Sequence, residues 1–352
     1  MDAAEIAPAP ARGQGARAMD ANPFLVDVAR GAMVESRHRG RFVVVDADGR
    51  ILASGGDVDA PVFPRSAIKF LQALPLVESG AADAFGLSPA ELAISCASHG
   101  GETRHVATVA AWLARMGLGE GDLECGAHMP SSAAAAEALL RAGDKPGALH
   151  NNCSGKHAGM LATCRHLGDA TRGYIQPGHP QQRRVVDAFE AMLGLDLAHV
   201  PLGVDGCGLP QFAIPLRALA TGIARFGAPD RLPALRATAC RRLAAAILAE
   251  PFMLAGTGRF CTRAIEACGG RAVIKTGAEG VYVAAIPAQG LGIALKIDDG
   301  AARAAEVAMG ALLLRHGGLD DEGRARIGQM IAPQIANAAG RAVGGIAPAP
   351  GW

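Results

Sequence analysis

The chain has 352 residues, half of them hydrophobic, with 34 basic and 33 acidic side chains and a net charge of +1. That length supports one large domain or two ordinary ones around a substantial core. Near-neutrality, with no basic stripe carrying interleaved aromatics, excludes a nucleic-acid or anionic-membrane partner, and no apolar run is long enough to cross a bilayer.

Residues 1–21 are rich in Ala, Pro, Arg and Gly. They lack the apolar stretch and cleavage site of a secretory signal, so they read as a flexible extension, with Met19 an alternative start. Residues 24–28 and 32–36 read as short strands and 41–46 as a clear one. Asp48-Gly49 supplies hairpin chemistry before a return strand at 51–53. Residues 66–74 carry helical spacing at Ile68, Leu71 and Leu74, with Pro64 just ahead and Pro75 ending or kinking the run. Residues 92–96 read as a buried strand leading into Ser98-His99-Gly100-Gly101. Helices are predicted over 103–116, 132–141, 156–167, 180–193 and 232–248. Strands follow at 272–275, 282–286 and 292–297, then an amphipathic helix over 301–314. Residues 331–352, rich in Gly, Ala and Pro, read as a loosely attached tail. Strands at both ends with helices between them predict an α+β fold: residues 22–330 as a single domain, a mainly antiparallel sheet with an inserted helical lobe.

Eight scattered cysteines, without a secretory signal, predict a reduced, cytoplasmic protein. The lysines are more telling. Only five of the 34 basic residues are lysine: Lys69, Lys145, Lys156, Lys275 and Lys296. Where a solvated cation suffices, arginine replaces lysine with little harm. It cannot replace a lysine that must lose its proton.

Five segments concentrate chemistry. In Ser66-Ala67-Ile68-Lys69 the hydroxyl and amine share a helix face, and a serine needs such a base to become a nucleophile. Lys275-Thr276-Gly277 ends an apolar strand, and with Ser-x-x-Lys it forms the pair found in penicillin-recognising enzymes. Ser98-His99-Gly100-Gly101 offers a hydroxyl and an imidazole beside glycines. Asn151-Asn152-Cys153-Ser154-Gly155-Lys156-His157 packs two amides, a thiol, a hydroxyl, an amine and an imidazole into seven residues. Asp205-Gly206-Cys207-Gly208 sets a carboxylate and a thiol between glycines. Cys153 and Cys207 could share a soft metal, although the usual four-ligand zinc spacing is absent. Two buried free thiols are the plainer alternative.

Taken together, these segments resemble the Rhizobium-type, or class 3, L-asparaginase family, in unbroken order from about residue 22 to about residue 318. The resemblance implies a β-lactamase/glutaminase-like fold, L-asparagine as substrate and a homodimer. It implies two catalytic serine–lysine tandems, Ser66 with Lys69 and Ser98 with Lys275. It implies one zinc per chain on Cys153, Lys156 and Cys207, with Arg65, His157 and Asp205 near the substrate. By analogy with Ser-x-x-Lys enzymes, Ser66 is the expected nucleophile and Ser98 the close alternative. Competing expectations are a glutaminase, a penicillin-recognising serine–lysine hydrolase, and a non-catalytic zinc or amino-acid sensor.

Overall fold

Val43, Val44 and Val45 are consecutive and all buried, so the strand that carries them is covered on both faces. A computed structural model describes residues 21–352; the extension read for residues 1–21 lies, except for Ala21, outside the described residues. The strand is β2 (Met33–Asp46), preceded by β1 (Phe24–Arg30) and followed by β3 (Ile51–Gly55). The two strands expected at 32–36 and 41–46 are one continuous strand. Its first half pairs with β1 and its second half with β3. Asp46 closes the β2–β3 hairpin by accepting the backbone N–H groups of Asp48 and Arg50 at 3.0 Å each.

Short β4 (Pro61–Val62) leads into the helices: α1 (Lys69–Gln72), α2 (Leu74–Glu78), α3 (Ala81–Ala84), α4 (Pro89–Ser95), α5 (Thr103–Arg115), α6 (Ala133–Arg141), α7 (Ser154–Leu167) and α8 (Pro180–Leu193). After β5 (Leu202–Val204), β6 (Pro210–Phe212) and β7 (Ile214–Pro215) come α9 (Leu216–Gly227), α10 (Ala234–Ala249), α11 (Pro251–Ala255) and α12 (Phe260–Ala267). The chain then returns through β8 (Val273–Thr276), β9 (Val281–Ile286), β10 (Leu291–Ile297), α13 (Ala302–His316), α14 (Asp321–Met330), β11 (Gln334–Ala336) and β12 (Ala342–Pro348).

The main sheet runs β11-β12-β1-β2-β10-β9-β8, with β3 beside β2, and every pairing is antiparallel. Helices α9 and α13 both pack on β10. Helices α1 to α8 and α10 to α12 form the lobe between the two runs of strands, while α14 packs on α12 and α13, so the architecture is α+β with a helical lobe inserted in an antiparallel sheet. At the lobe's centre is α7, buried without a break from Ser154 to Cys164. An all-round buried helix shows no amphipathic stripe, and its polar residues are therefore held inside the protein.

Two expectations fail. Residues 92–95 are helical, not a strand, and Cys96 caps the helix end: Ser88 and Glu91 form a capping box with Pro89 in the first turn, a start signal that outranks the short apolar run. Residues 331–352 are not a loose tail. Strand β12 pairs with β1 from Val26↔Pro348 to Arg30↔Gly344, and the Trp352 ring lies 5.2 Å from that of Phe42. A Cβ on Gly344 would stand 2.0 Å from the Ala29 carbonyl oxygen. Small residues here serve close strand packing.

Candidate active site

Two glycines bring the chemistry-bearing segments together. A Cβ on Gly155 would lie 2.4 Å from the carbonyl oxygen of Ile94, so only glycine lets the first turn of α7 rest on the end of α4. That contact sets Cys153 close to Ala97 and Ser98, which follow α4 and share Lys69 with it. A Cβ on Gly277 would lie 2.5 Å from the carbonyl oxygen of Pro64. Its absence lets the end of β8, with Lys275, reach the turn that carries Arg65 and Ser66.

The result differs from two separate tandems. Lys69 Nζ donates to the Ala97 carbonyl at 2.5 Å and lies 3.0 Å from Ser98 Oγ and 3.1 Å from Cys153 Sγ; Ser66 is not among its partners. Lys275 Nζ is 2.8 Å from the same Ser98 Oγ. Both amines therefore converge on Ser98. The expected Ser98–Lys275 contact is present and the Ser66–Lys69 contact is not, because Lys69 leans across to α4 and α7. Lys69 and Lys275 are 0 % and 1 % exposed. Burial, helped by the Lys69 charge, pushes the Lys275 amine down to about 7, which makes it a base near neutrality.

Ser66 instead lines a cleft of about 180 Å³ with Arg65, Asn152, Cys153, Asp205 and Cys207. Arg65 adopts φ +50°, a strained conformation for a side-chain-bearing residue. Its Nε donates to Asp205 Oδ1 at 2.8 Å. Burial raises the Asp205 carboxyl, but Lys156 and Arg65 outweigh it and hold the group below its ordinary range.

Cys153, Lys156 and Cys207 are all buried, and two of them touch. Lys156 Nζ lies 3.1 Å from Cys207 Sγ, and Cys153 Sγ lies 3.1 Å from Asn152 Oδ1. The neighbouring Cys207 and burial push Cys153 up to about 12. Cys207 is drawn down to about 5 by the neighbouring Cys153 and, against burial, by Lys156. Among the described residues no cluster of three or more His, Cys, Asp and Glu side chains could hold a metal. The set here is two soft sulfurs and an amine in one buried spot, a donor chemistry that fits zinc.

His157 is fully buried and away from the cleft wall. Its Nδ1 is 2.7 Å from the Tyr174 hydroxyl, Nε2 has no partner, and burial drives the ring down to about 3. Three other residues tie the loops together. Gly101 N–H donates to His99 Nδ1 at 3.1 Å, so the ring hydrogen sits on Nε2, 2.9 Å from Ser154 Oγ. His128 Nε2 accepts the Asn152 N–H at 3.0 Å. Asn151 Nδ2 donates to the Cys125 carbonyl at 2.8 Å. Sequence reasoning missed His128, which stands 24 positions from its partner with no pattern to betray it.

No helix among the described residues is long and apolar enough to cross a membrane. No curated protein matches the chain. Among solved structures, Mglu in its native form is 16 % identical, covering 84 % of this chain and 68 % of that one, with a TM-score of 0.44. Mglu in its glutamate form is 14 % identical, covering 78 % of this chain, with a TM-score of 0.42; the match spans only 60 % of that chain. The D-alanine carboxypeptidase AmpC from Burkholderia cenocepacia is 14 % identical, covering 83 % of this chain and 92 % of that one, with a TM-score of 0.34. Residues 26–348, which hold every site residue described above, match the family model for L-asparaginase II: the chain belongs to that family and is an amidohydrolase.

Proposed function

We propose that the protein hydrolyses L-asparagine to L-aspartate and ammonia with Ser98 as nucleophile and Lys275 as base. The observation that carries this reading is one hydroxyl oxygen with two buried lysine amines at 2.8 and 3.0 Å. A neutral Lys275 amine accepts the Ser98 hydroxyl proton while Oγ bonds to the side-chain amide carbon of the substrate. The same proton then passes to the departing nitrogen, the C–N bond breaks, and ammonia leaves an acyl-serine. Water enters by the reverse route, giving aspartate and free Ser98. The Ser98 and His99 backbone N–H groups already donate to Leu254 and Asn152 carbonyls. Neither is free to hold the oxyanion, and the cleft-facing Ser66 hydroxyl takes that part. Arg65 faces the substrate carboxylate and Asp205 its ammonium.

Cys153, Lys156 and Cys207 are the residues that would hold zinc, which would supply a fixed positive charge at the cleft wall. A second reading makes Ser66 the nucleophile and the Ser98–lysine group its proton relay; what favours it is the place of Ser66 on the cleft wall. Ammonia release from L-asparagine against L-glutamine, with zinc content measured on the same sample, tests the proposal. Turnover of glutamine alone, or of nitrocefin alone, would refute the substrate. Intact-mass trapping with a reactive amide analogue separates the serines: an adduct on Ser66 alone overturns the assignment to Ser98.

A further inference from the structure

Behind Lys156, away from the cleft, α1, α4, α7 and α8 enclose a second space of about 10 Å³, close to the least that holds one water. Gln72 and Gln181 line it, 3 % and 1 % exposed, and the Oε1 atom of each is buried without a hydrogen-bond partner. Two orphaned acceptors at one cavity are costly unless something donates to them. The other polar walls cannot. Ser95 Oγ donates to the Leu92 carbonyl at 2.7 Å and Thr163 Oγ1 to the Gly159 carbonyl at 3.1 Å, so their hydrogens are committed. Lys156 forms part of the wall. In either protonation state its amine carries at least two hydrogens, and its hydrogen-bond partner is Cys207 Sγ alone.

We infer that this cavity is a binding site for a single ordered water. The water donates its two hydrogens to Gln72 Oε1 and Gln181 Oε1 and accepts one from Lys156 Nζ. One donor–acceptor molecule of the right size then gives both orphaned glutamine oxygens a donor and Lys156 an acceptor. Gln72 and Gln181 become positioning residues that aim the Lys156 amine at Cys207 Sγ. This last step rests on the reading of Lys156 as a zinc ligand; the water itself does not.

Two measurements test the inference. A crystal structure of the protein as purified, at a resolution that shows waters, should show one peak within hydrogen-bond distance of both glutamine oxygens and Lys156 Nζ. An empty cavity, or Gln72 and Gln181 bonded directly to each other, overturns the site. Gln72→Leu and Gln181→Leu, made separately, should each weaken zinc binding about tenfold in competition with a chromophoric chelator, while the metal-free melting temperature moves by only a few degrees. Unchanged zinc affinity in both overturns the positioning role. A wild-type protein that takes up no zinc refutes the metal reading instead, and the crystallographic result still decides the water.

Discussion

Lys275 and Lys156 are sunk to the same depth, 1 % and 2 % exposed, yet their amines are driven in opposite directions. Lys275 has a hydroxyl and another lysine for neighbours, so burial prevails and its amine falls to about 7. Lys156 meets the same burial, but the Cys207 sulfur and the Asp205 carboxylate near it outweigh that burial, and its amine rises above the ordinary lysine value. Depth alone therefore does not make a lysine a proton acceptor. The partners decide whether a buried amine is held neutral or, without a metal, as a cation.

The hardest test of that contrast is removal of the oxygen shared by the two amines. Ser98→Ala should lower kcat by roughly 10³-fold or more in a steady-state ammonia assay while the fold persists by circular dichroism. Activity within tenfold of wild type would show that the Lys275 side of the comparison carries no chemistry. Next in size, Lys275→Met removes the acceptor and should lower kcat by about 10²- to 10⁴-fold. Retained turnover would shift the base to Lys69.

The pH profile sharpens the comparison further. Lys275 has a depressed pKa, so the active neutral amine predominates above about pH 7 and is lost as pH falls through it. The kcat/KM of the free enzyme should therefore rise to a plateau with a limb near pH 7, falling about tenfold per unit below it. A limb near the ordinary lysine range would mean that burial has not prevailed. The smallest effect belongs to the other lysine. On the proposed zinc site, treatment with a chelator should raise KM for asparagine several-fold more than it lowers kcat, since Cys153 and Cys207 line the same cleft as the Arg65–Asp205 pair. An unchanged KM with abolished turnover would place the metal in the chemical step.

Much of this was legible in the chain because local signals agreed. The residue spacing of α8 and the Gly-bounded strands β9 and β10 are one-dimensional patterns, and they fold as read. The lysine count was informative for a physical reason: three of the five surviving lysines, Lys69, Lys156 and Lys275, are buried at one centre, where an always-charged guanidinium could not serve. The misreadings arose where two signals competed. In α4 an apolar run obscured a capping box, and in β12 low-complexity composition obscured a sheet partner.

By itself the sequence determined which residue types were available: two thiols, three amines that can lose a proton, two hydroxyls, and the order in which they occur. Only the tertiary structure decided the pairings. Spacing placed Ser66 one turn from Lys69, but the side chain of Lys69 follows the closest unpaired polar groups across the interior, and the Gly155–Ile94 contact puts those on Ser98, Ala97 and Cys153. Such choices rest on distances between segments far apart in the chain, set by packing at two glycines, and no local pattern encodes them.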